Sequence, residues 1–311
     1  MERVYHYTSM DAFLCLLESI KKSSDQKSFI FRATNIFFLN DPSEFIYGQK
    51  ILMEVLKVIE YEKSVNYDLR ISDLSRRYAE GNEEEWQKRL LDGIHKNNES
   101  PYVISFSRNI DSLPMWLNYG DHGKGICLAF AEYRSKFLDE TINLSTISEA
   151  KIEIYDSLGT YDVNYDEKSV EDKDSILRKN MAFIYDYYLK KVKTIQPNEL
   201  DELQMSILRA FSEVIAPYIK AKEYESEKEV RMAKTIMRDK NNNISELEFR
   251  CNSKGHLIPY IKIEIPTKQL DYVRIGPLAD KDLSIKVIEM MKKKYDVDFD
   301  VKQSEIVFRD Y

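Results

Sequence analysis

Apolar and polar positions along the chain switch between the two-residue period of a strand and the three-to-four-residue period of a helix. Those switches outline the elements. Val4-Tyr5-His6-Tyr7 is β-branched and aromatic and predicts a short strand. Thr8 or Ser9 can cap the helix that follows over about 10–20, where Phe13, Leu14, Leu16, Leu17 and Ile20 recur at helical spacing. Residues 29–32 predict a second short strand. Ile36-Phe37-Phe38-Leu39 then runs into Asn40-Asp41-Pro42-Ser43-Glu44, a turn with proline at its stiff position followed by a helix start. Ser43 and Glu44 are expected to satisfy the free N–H groups of that helix.

Residues 44–98 read as helical, with Ile51, Leu52, Val55, Leu56 and Ile59 in one apolar stripe. Gly81-Asn82-Glu83-Glu84-Glu85 predicts a surface turn into a helix whose acidic first turn suits the helix dipole. From 101 the period shortens. Strands are expected over 102–107 and 125–130, flanking a short helix at Met115-Trp116-Leu117-Asn118-Tyr119-Gly120. Strand-like residues resume over 151–165, and helices follow over about 168–193 and 198–220. The second of these has Leu203, Ile207, Phe211, Val214 and Tyr218 on one face. Strands dominate after 228, at 230–233, 247–251 and 257–265, with Ser253-Lys254-Gly255 as a hairpin turn between the last two. A strand at 272–275 leads into Gly276-Pro277, and a helix over about 280–294 and a strand near 299–302 follow. No internal repeat is visible. Short strands with helical insertions, in place of alternating βαβ units, predict an α+β fold. The expected organisation is a single domain over 1–311 with helical insertions at about 44–98 and 168–222.

Composition refines this picture in a few places. Hydrophobic residues at 43% support a substantial core, and no apolar run approaches the roughly 20 residues that span a bilayer. Met1-Glu2-Arg3-Val4-Tyr5 lacks a signal-peptide core, so a cytoplasmic location without a membrane partner is expected. Cys15, Cys127 and Cys251 lie far apart without C-x-x-C spacing and read as packed thiols. A net charge of -7 argues against broad binding to nucleic-acid phosphates, while leaving room for one local basic groove. The 21 tyrosines beside 14 phenylalanines suit either clefts and interfaces or a tyrosine-rich core.

Four constellations could carry chemistry. In Tyr5-His6-Tyr7-Thr8, strand alternation puts His6 and Thr8 on one face and the tyrosines on the other. A histidine and a hydroxyl together can hold a ribose or phosphate; a core histidine is the competing reading. In Leu39-Asn40-Asp41-Pro42-Ser43-Glu44, a functional role requires Asn40 or Glu44 to point into a cleft. Met115-Trp116 with Tyr119-Gly120 and Gly123-Lys124-Gly125 offers either packing under a cleft or stacking of Trp116 on a ligand. Its glycines match no phosphate-binding loop pattern. Finally, Glu223, Glu225, Glu227 and Glu229 precede Arg231, and alternation puts Glu227, Glu229 and Arg231 on one face. An inward Glu229 held by Arg231 would stay ionised and could stabilise positive charge developing on a sugar carbon.

Taken in order, these motifs with Ser105-Phe106-Ser107, Ile275-Gly276-Pro277 and residues 304–309 resemble the domain-of-unknown-function 2971 family of bacteria. The His-Tyr-Thr opening and the later Glu-x-Glu more loosely resemble the ADP-ribosyltransferase superfamily, including DarT-like toxins. That resemblance implies a split β-sheet core with large helical insertions and NAD as substrate, without a metal. It implies His6 and Thr8 on NAD, Tyr7 or Tyr47 stacking on nicotinamide, Glu229 as catalytic residue and Glu227 on the acceptor side, with Asn40, Trp116 and Arg231 lining the site. Ser105-Phe106-Ser107 is the candidate for the superfamily's middle strand, and the 44–98 insertion exceeds what a minimal transferase needs. The implied function is an effector of a toxin or anti-phage defence system that transfers ADP-ribose to a protein or nucleic-acid acceptor, with a partner protein or a homo-oligomer as further possibilities. The alternatives are a non-catalytic nucleotide- or protein-binding sensor and a metal-dependent nuclease using Asp41, Glu44 and Glu227.

Overall fold

The computed structural model describes residues 2–40, 43–79, 100–132, 160–165, 175–235, 246–252 and 255–307, with positions 82, 85, 86, 88, 170 and 172 between them. Its strands are β1 (Arg3–Thr8), β2 (Ser28–Asn35), β3 (Pro101–Ser107), β4 (Ile126–Ala131), β5 (Tyr161–Asp162), β6 (Glu229–Thr235), β7 (Glu248–Cys251), β8 (Leu257–Pro266), β9 (Leu270–Ile275) and β10 (Asp300–Gln303). Its helices are α1 (Met10–Ser19), α2 (Glu44–Glu62), α3 (Leu74–Tyr78), α4 (Leu113–Tyr119), α5 (Ile176–Val192), α6 (Leu200–Val214) and α7 (Lys281–Tyr295). The architecture is α+β, a large mixed sheet with several helices.

Local chemistry explains most boundaries. Ser9 Oγ accepts from the Ala12 N–H and starts α1, and Asp280 accepts from the Leu283 N–H and starts α7. The long helix expected from residue 44 breaks after Glu62, where Ser64 adopts a left-handed conformation (φ 49°) and a turn leads to α3. The helix expected to reach residue 220 ends at Val214. Pro217 has no N–H to donate and clashes with a continuing helix, so Ala216–Tyr218 forms a 3₁₀ turn. Tyr218 accordingly leaves the helix face assigned to it and meets the Tyr161 ring edge-on at 5.4 Å. The 151–159 part of the strand-like segment, the Ser253-Lys254 half of the hairpin turn and most of 80–99 lie outside the described residues.

The strands follow the order β10-β9-β4-β1-β3-β2-β8-β7, with β6 on β3 and β5 on β6. Pairs are antiparallel except β9 with β10, which α7 connects. The junction at β3 positions the site. β6 runs along all of β3, from Pro101–Thr235 to Ser107–Glu229. On its other edge β3 meets β1 only at Tyr5–Ser107 and β2 only at Thr34–Val103 and Asn35–Tyr102. β1 and β2 therefore splay apart beside Ile104-Ser105-Phe106, and a cleft opens there.

Three groups of buried side chains flank this junction. α1 and α7 cover one sheet face through Phe13, Leu17 and Ile288 against Val4, Phe31 and Val273. α2, α5 and α6 make a separate helical core from Leu52, Val55, Tyr185, Ile207 and Phe211, and reach the sheet at Val103. Tyr5, Tyr7, Trp116, Cys127 and Tyr272 pack together on the remaining face of β1. Helical and sheet periods thus each bury one stripe, as the sequence pattern required.

Candidate functional site

A cleft of about 860 Å³ lies at the splay and is lined from several elements, including His6, Asn40, Glu44, Ser105, Tyr119 and Lys220. Register assigns the side chains. Tyr5 faces Ser107, which faces Glu229, so Tyr5, Tyr7, Ser105, Glu229 and Arg231 share one sheet face. His6 belongs to the opposite face, yet it lines the same cleft because its ring occupies the gap where β1 leaves β3.

His6 Nδ1 lies 2.9 Å from the Ser105 carbonyl. A carbonyl only accepts, so Nδ1 carries the proton and Nε2 is left as an acceptor. The ring contacts Phe31 and Phe106 edge-on at 5.3 and 5.7 Å. Burial among them lowers the imidazole pKa, against the raising effect of the Ser105 carbonyl, so His6 is neutral near pH 7.

The opposite wall is a buried cluster of charge. Arg231, 1% exposed, donates Nε to Glu229 Oε1 at 2.7 Å, Nη2 to Glu229 Oε2 at 2.9 Å and to Glu44, and Nη1 to the Pro217 carbonyl at 2.6 Å. Lys220 donates to Glu227 at 2.6 Å and Glu229 at 3.0 Å, and lies 3.8 Å from Glu44. Tyr119 Oη donates to the second Glu227 oxygen at 2.7 Å. Below the cluster, the Glu229 N–H donates to Tyr165 Oη at 2.7 Å. Lys228 is left-handed (φ 43°), at a cost of about 1–2 kcal/mol for a residue with a Cβ. It joins the turn that presents Glu227 to the strand that presents Glu229.

The carboxylates titrate apart. Burial pushes Glu229 up, but Arg231 and Lys220 outweigh it and hold the group at about 2. Burial of Glu44 dominates and raises its pKa despite Arg231 and Lys220. Burial works to deprotonate Lys220, but Glu229, Glu44 and Glu227 outweigh it and raise its pKa. Three carboxylates therefore meet two cations, and the wall carries an excess negative charge when Glu44 is ionised. Environments that separate the pKa values of neighbouring carboxylates are a hallmark of acid–base sites, and buried ion-pair networks can produce them too.

The sequence-derived site residues divide accordingly. His6, Thr8, Asn40, Glu227, Glu229 and Arg231 all line the cleft. Tyr7 lines it with little surface, its hydroxyl donating to the Asn109 carbonyl at 2.8 Å and its ring against Trp116. Two assignments need correction. Trp116 is fully buried, donates Nε1 to Asp111 at 2.7 Å and offers no face for stacking. Tyr47 packs against the helical core and does not line the cleft. Ser43 makes no side-chain cap, and Glu44 turns into the cleft instead. The 120–125 turn is rich in glycine for packing: a Cβ on Gly125 would lie 2.2 Å from the Thr8 carbonyl oxygen. Of the glutamate run, Glu223 and Glu225 are exposed, so only half of it belongs to the site. Sequence reasoning passed over Lys220 altogether, a lone lysine in Tyr218-Ile219-Lys220 with no motif around it. For the nuclease alternative, Asp41 lies outside the described residues, and Glu44 and Glu227 are engaged by cations. Among the described residues no group of three or more His, Cys, Asp or Glu could hold a metal ion, and no helix is long and apolar enough to cross a membrane.

The family described as protein of unknown function (DUF2971) matches residues 115–232. The matched stretch runs from the Trp116 helix to β6 and holds Tyr119, Lys220, Glu227, Glu229 and Arg231, while His6 and Glu44 lie before it. The chain is similar to that family over this stretch. No curated protein and no solved structure matches the chain.

Proposed function

We propose that the cleft binds NAD and that the protein is an ADP-ribosyltransferase-like enzyme, acting as a toxin or anti-phage effector. The opening between β1 and β2 would then be the counterpart of that superfamily's split sheet. One observation carries the proposal: a neutral His6 and the Glu227-x-Glu229 pair, with Glu229 held ionised, line one cleft large enough for a dinucleotide. Nε2 of His6 accepts a ribose hydroxyl. The bond from C1′ to the nicotinamide nitrogen breaks, its electron pair leaves with neutral nicotinamide, and the positive charge passes to the ribose. With Glu44 ionised, three carboxylates outnumber Lys220 and Arg231 on the Glu227–Glu229 wall, and the excess favours that cation. A nucleophile of the acceptor then forms its bond to C1′ and passes its proton to solvent. Glu227 is the more accessible carboxylate of the pair, with 14% of its side chain exposed against 6% for Glu229. Glu227 therefore meets the ribose while Glu229 sets the charge beneath it.

Nicotinamide release from NAD tests this, with Glu227→Gln, Glu229→Gln and His6→Ala beside the wild type. A loss of about 100-fold or more is expected in the folded Glu227→Gln protein. Undiminished release in both glutamine variants would sink the catalytic claim.

A second reading has its own support, because both Glu229 oxygens are already taken by Arg231 and Lys220. A cleft built that way can serve a non-catalytic nucleotide- or protein-binding sensor. Stoichiometric NAD binding without nicotinamide release would favour it.

A further inference from the structure

The cleft has a second wall, on the same sheet face but across β2, β8 and β7. Thr34 faces Tyr260, which faces Glu248, and Arg32 faces Lys262. Arg32, Lys262, Glu248 and Arg250 line the cleft here. Each carboxylate of this wall has its own donors. Glu248 accepts from Tyr260 Oη at 2.6 Å and from Lys262, and Glu264 accepts from the Ser24 N–H at 2.9 Å and its hydroxyl at 2.6 Å. Arg32 also acts on Glu248 through space, but no carboxylate hydrogen-bonds either guanidinium among the described residues. Arg32 lies over the Tyr260 ring at 5.5 Å. Arg250 donates Nη2 to Thr34 Oγ1 at 3.1 Å, and its Nε is buried without a partner among the described residues. Burial and then the charge of Arg32 both push Arg250 below the ordinary arginine range.

Two guanidiniums that repel each other across unfilled donors, in a cleft wall, are matched by an anion with several oxygens. The planar fork of arginine suits phosphate in that role. The facing wall, with three carboxylates against two cations when Glu44 is ionised, repels the same group, so an anion is directed to one end of the cleft. We propose that Arg32 and Arg250 form a phosphate subsite that takes the diphosphate of a nucleotide. The inference deepens the NAD proposal and rests on this cleft being the ligand site.

Calorimetric titration of inorganic pyrophosphate and of ADP into the full chain tests it, with Arg32→Gln and Arg250→Gln beside the wild type. Pyrophosphate should bind the wild type, weaken with added salt, and lose about tenfold or more in each variant. The ligand-free variants should be at least as heat-stable as the wild type, because each substitution removes a like-charge repulsion. That second readout excludes unfolding as the cause of lost binding. Tighter binding of ADP than of pyrophosphate identifies a nucleotide as the source of the diphosphate, and equal binding identifies the free anion. No pyrophosphate binding by the folded wild type, or equal affinity in both variants, overturns the subsite. Pyrophosphate binding through Arg32 and Arg250 without NAD cleavage removes the transferase and leaves the subsite. NAD cleavage with unchanged KM in both variants removes the subsite and leaves the transferase.

Discussion

The two walls of the cleft use arginine in opposite ways. On β6, Arg231 is buried and every group around it is matched: two carboxylates, a backbone carbonyl and a neighbouring lysine that shares the same acids. On β2 and β7, Arg32 is exposed and Arg250 half-buried, Arg32 pushes on the charge of Arg250, and the buried Nε of Arg250 has no partner among the described residues. The first arrangement is complete without a ligand and fixes geometry. The second leaves donors for something else to use. A polar network satisfied throughout rigidifies a site, and one satisfied in part marks where a partner is missing.

The largest expected effect tests the first half of that contrast. Arg231→Leu leaves Glu44 and Glu229 as buried charges without their main partner, and should cost about 3–5 kcal/mol in urea unfolding at neutral pH. Arg32→Gln should leave the unfolding midpoint where it is or raise it. Equal destabilisation by the two would erase the distinction between the walls.

A somewhat smaller effect sharpens the role of Glu229. Its folded value of about 2 lies below the ordinary 4.5, which is worth about 3 kcal/mol at neutral pH. Because the folded value is the lower one, this stabilisation is complete above about 4.5 and is lost as pH falls toward about 2. The stability gap between wild type and Glu229→Gln should therefore close on acidification through that window. A gap that stays constant would show that Glu229 stabilises by shape alone. Glu44 works the other way, since burial raises it, and Glu44→Gln should cost less than Glu229→Gln.

The smallest effect concerns the histidine between the walls. Its folded value lies below the ordinary 6.5, so the unfolded chain takes up the proton first as pH falls. Stability should be full above about 6.5 and decline as pH falls below it. A His6→Phe variant, its ring still between Phe31 and Phe106, should lack that decline. An unchanged profile in the variant would assign the slope to the carboxylates.

What could be read along the chain was whatever repeats with a local period. The apolar stripe Ile51, Leu52, Val55, Leu56 and Ile59 announced α2, the cap signal at Thr8 or Ser9 announced α1, and two alternating runs around Gly255 announced the β7–β8 hairpin. Candidate chemistry was legible to the same extent. His6 and the Glu227–Glu229 pair stood out because they sit inside such local patterns. Proline 217 ended a helix that the apolar stripe alone carried to 220.

Partnership between distant elements has no local period, and there the fold decided. Arg231 and Glu44 are separated by 187 positions, and they meet because β6 pairs along β3 while α2 packs in the helical core that reaches β3 at Val103. Nothing in the residues around Lys220 distinguishes it from a solvent lysine until Glu227, Glu229 and Glu44 surround it. His6 and Glu229 sit on opposite faces by strand alternation, and only the divergence of β1 from β3 opens them to one cleft. Hydrophobic period is written residue by residue, because each side chain needs only its own face. Charge pairing and cleft geometry depend on strand order and register, which arise when separate elements compete for the same edges and faces.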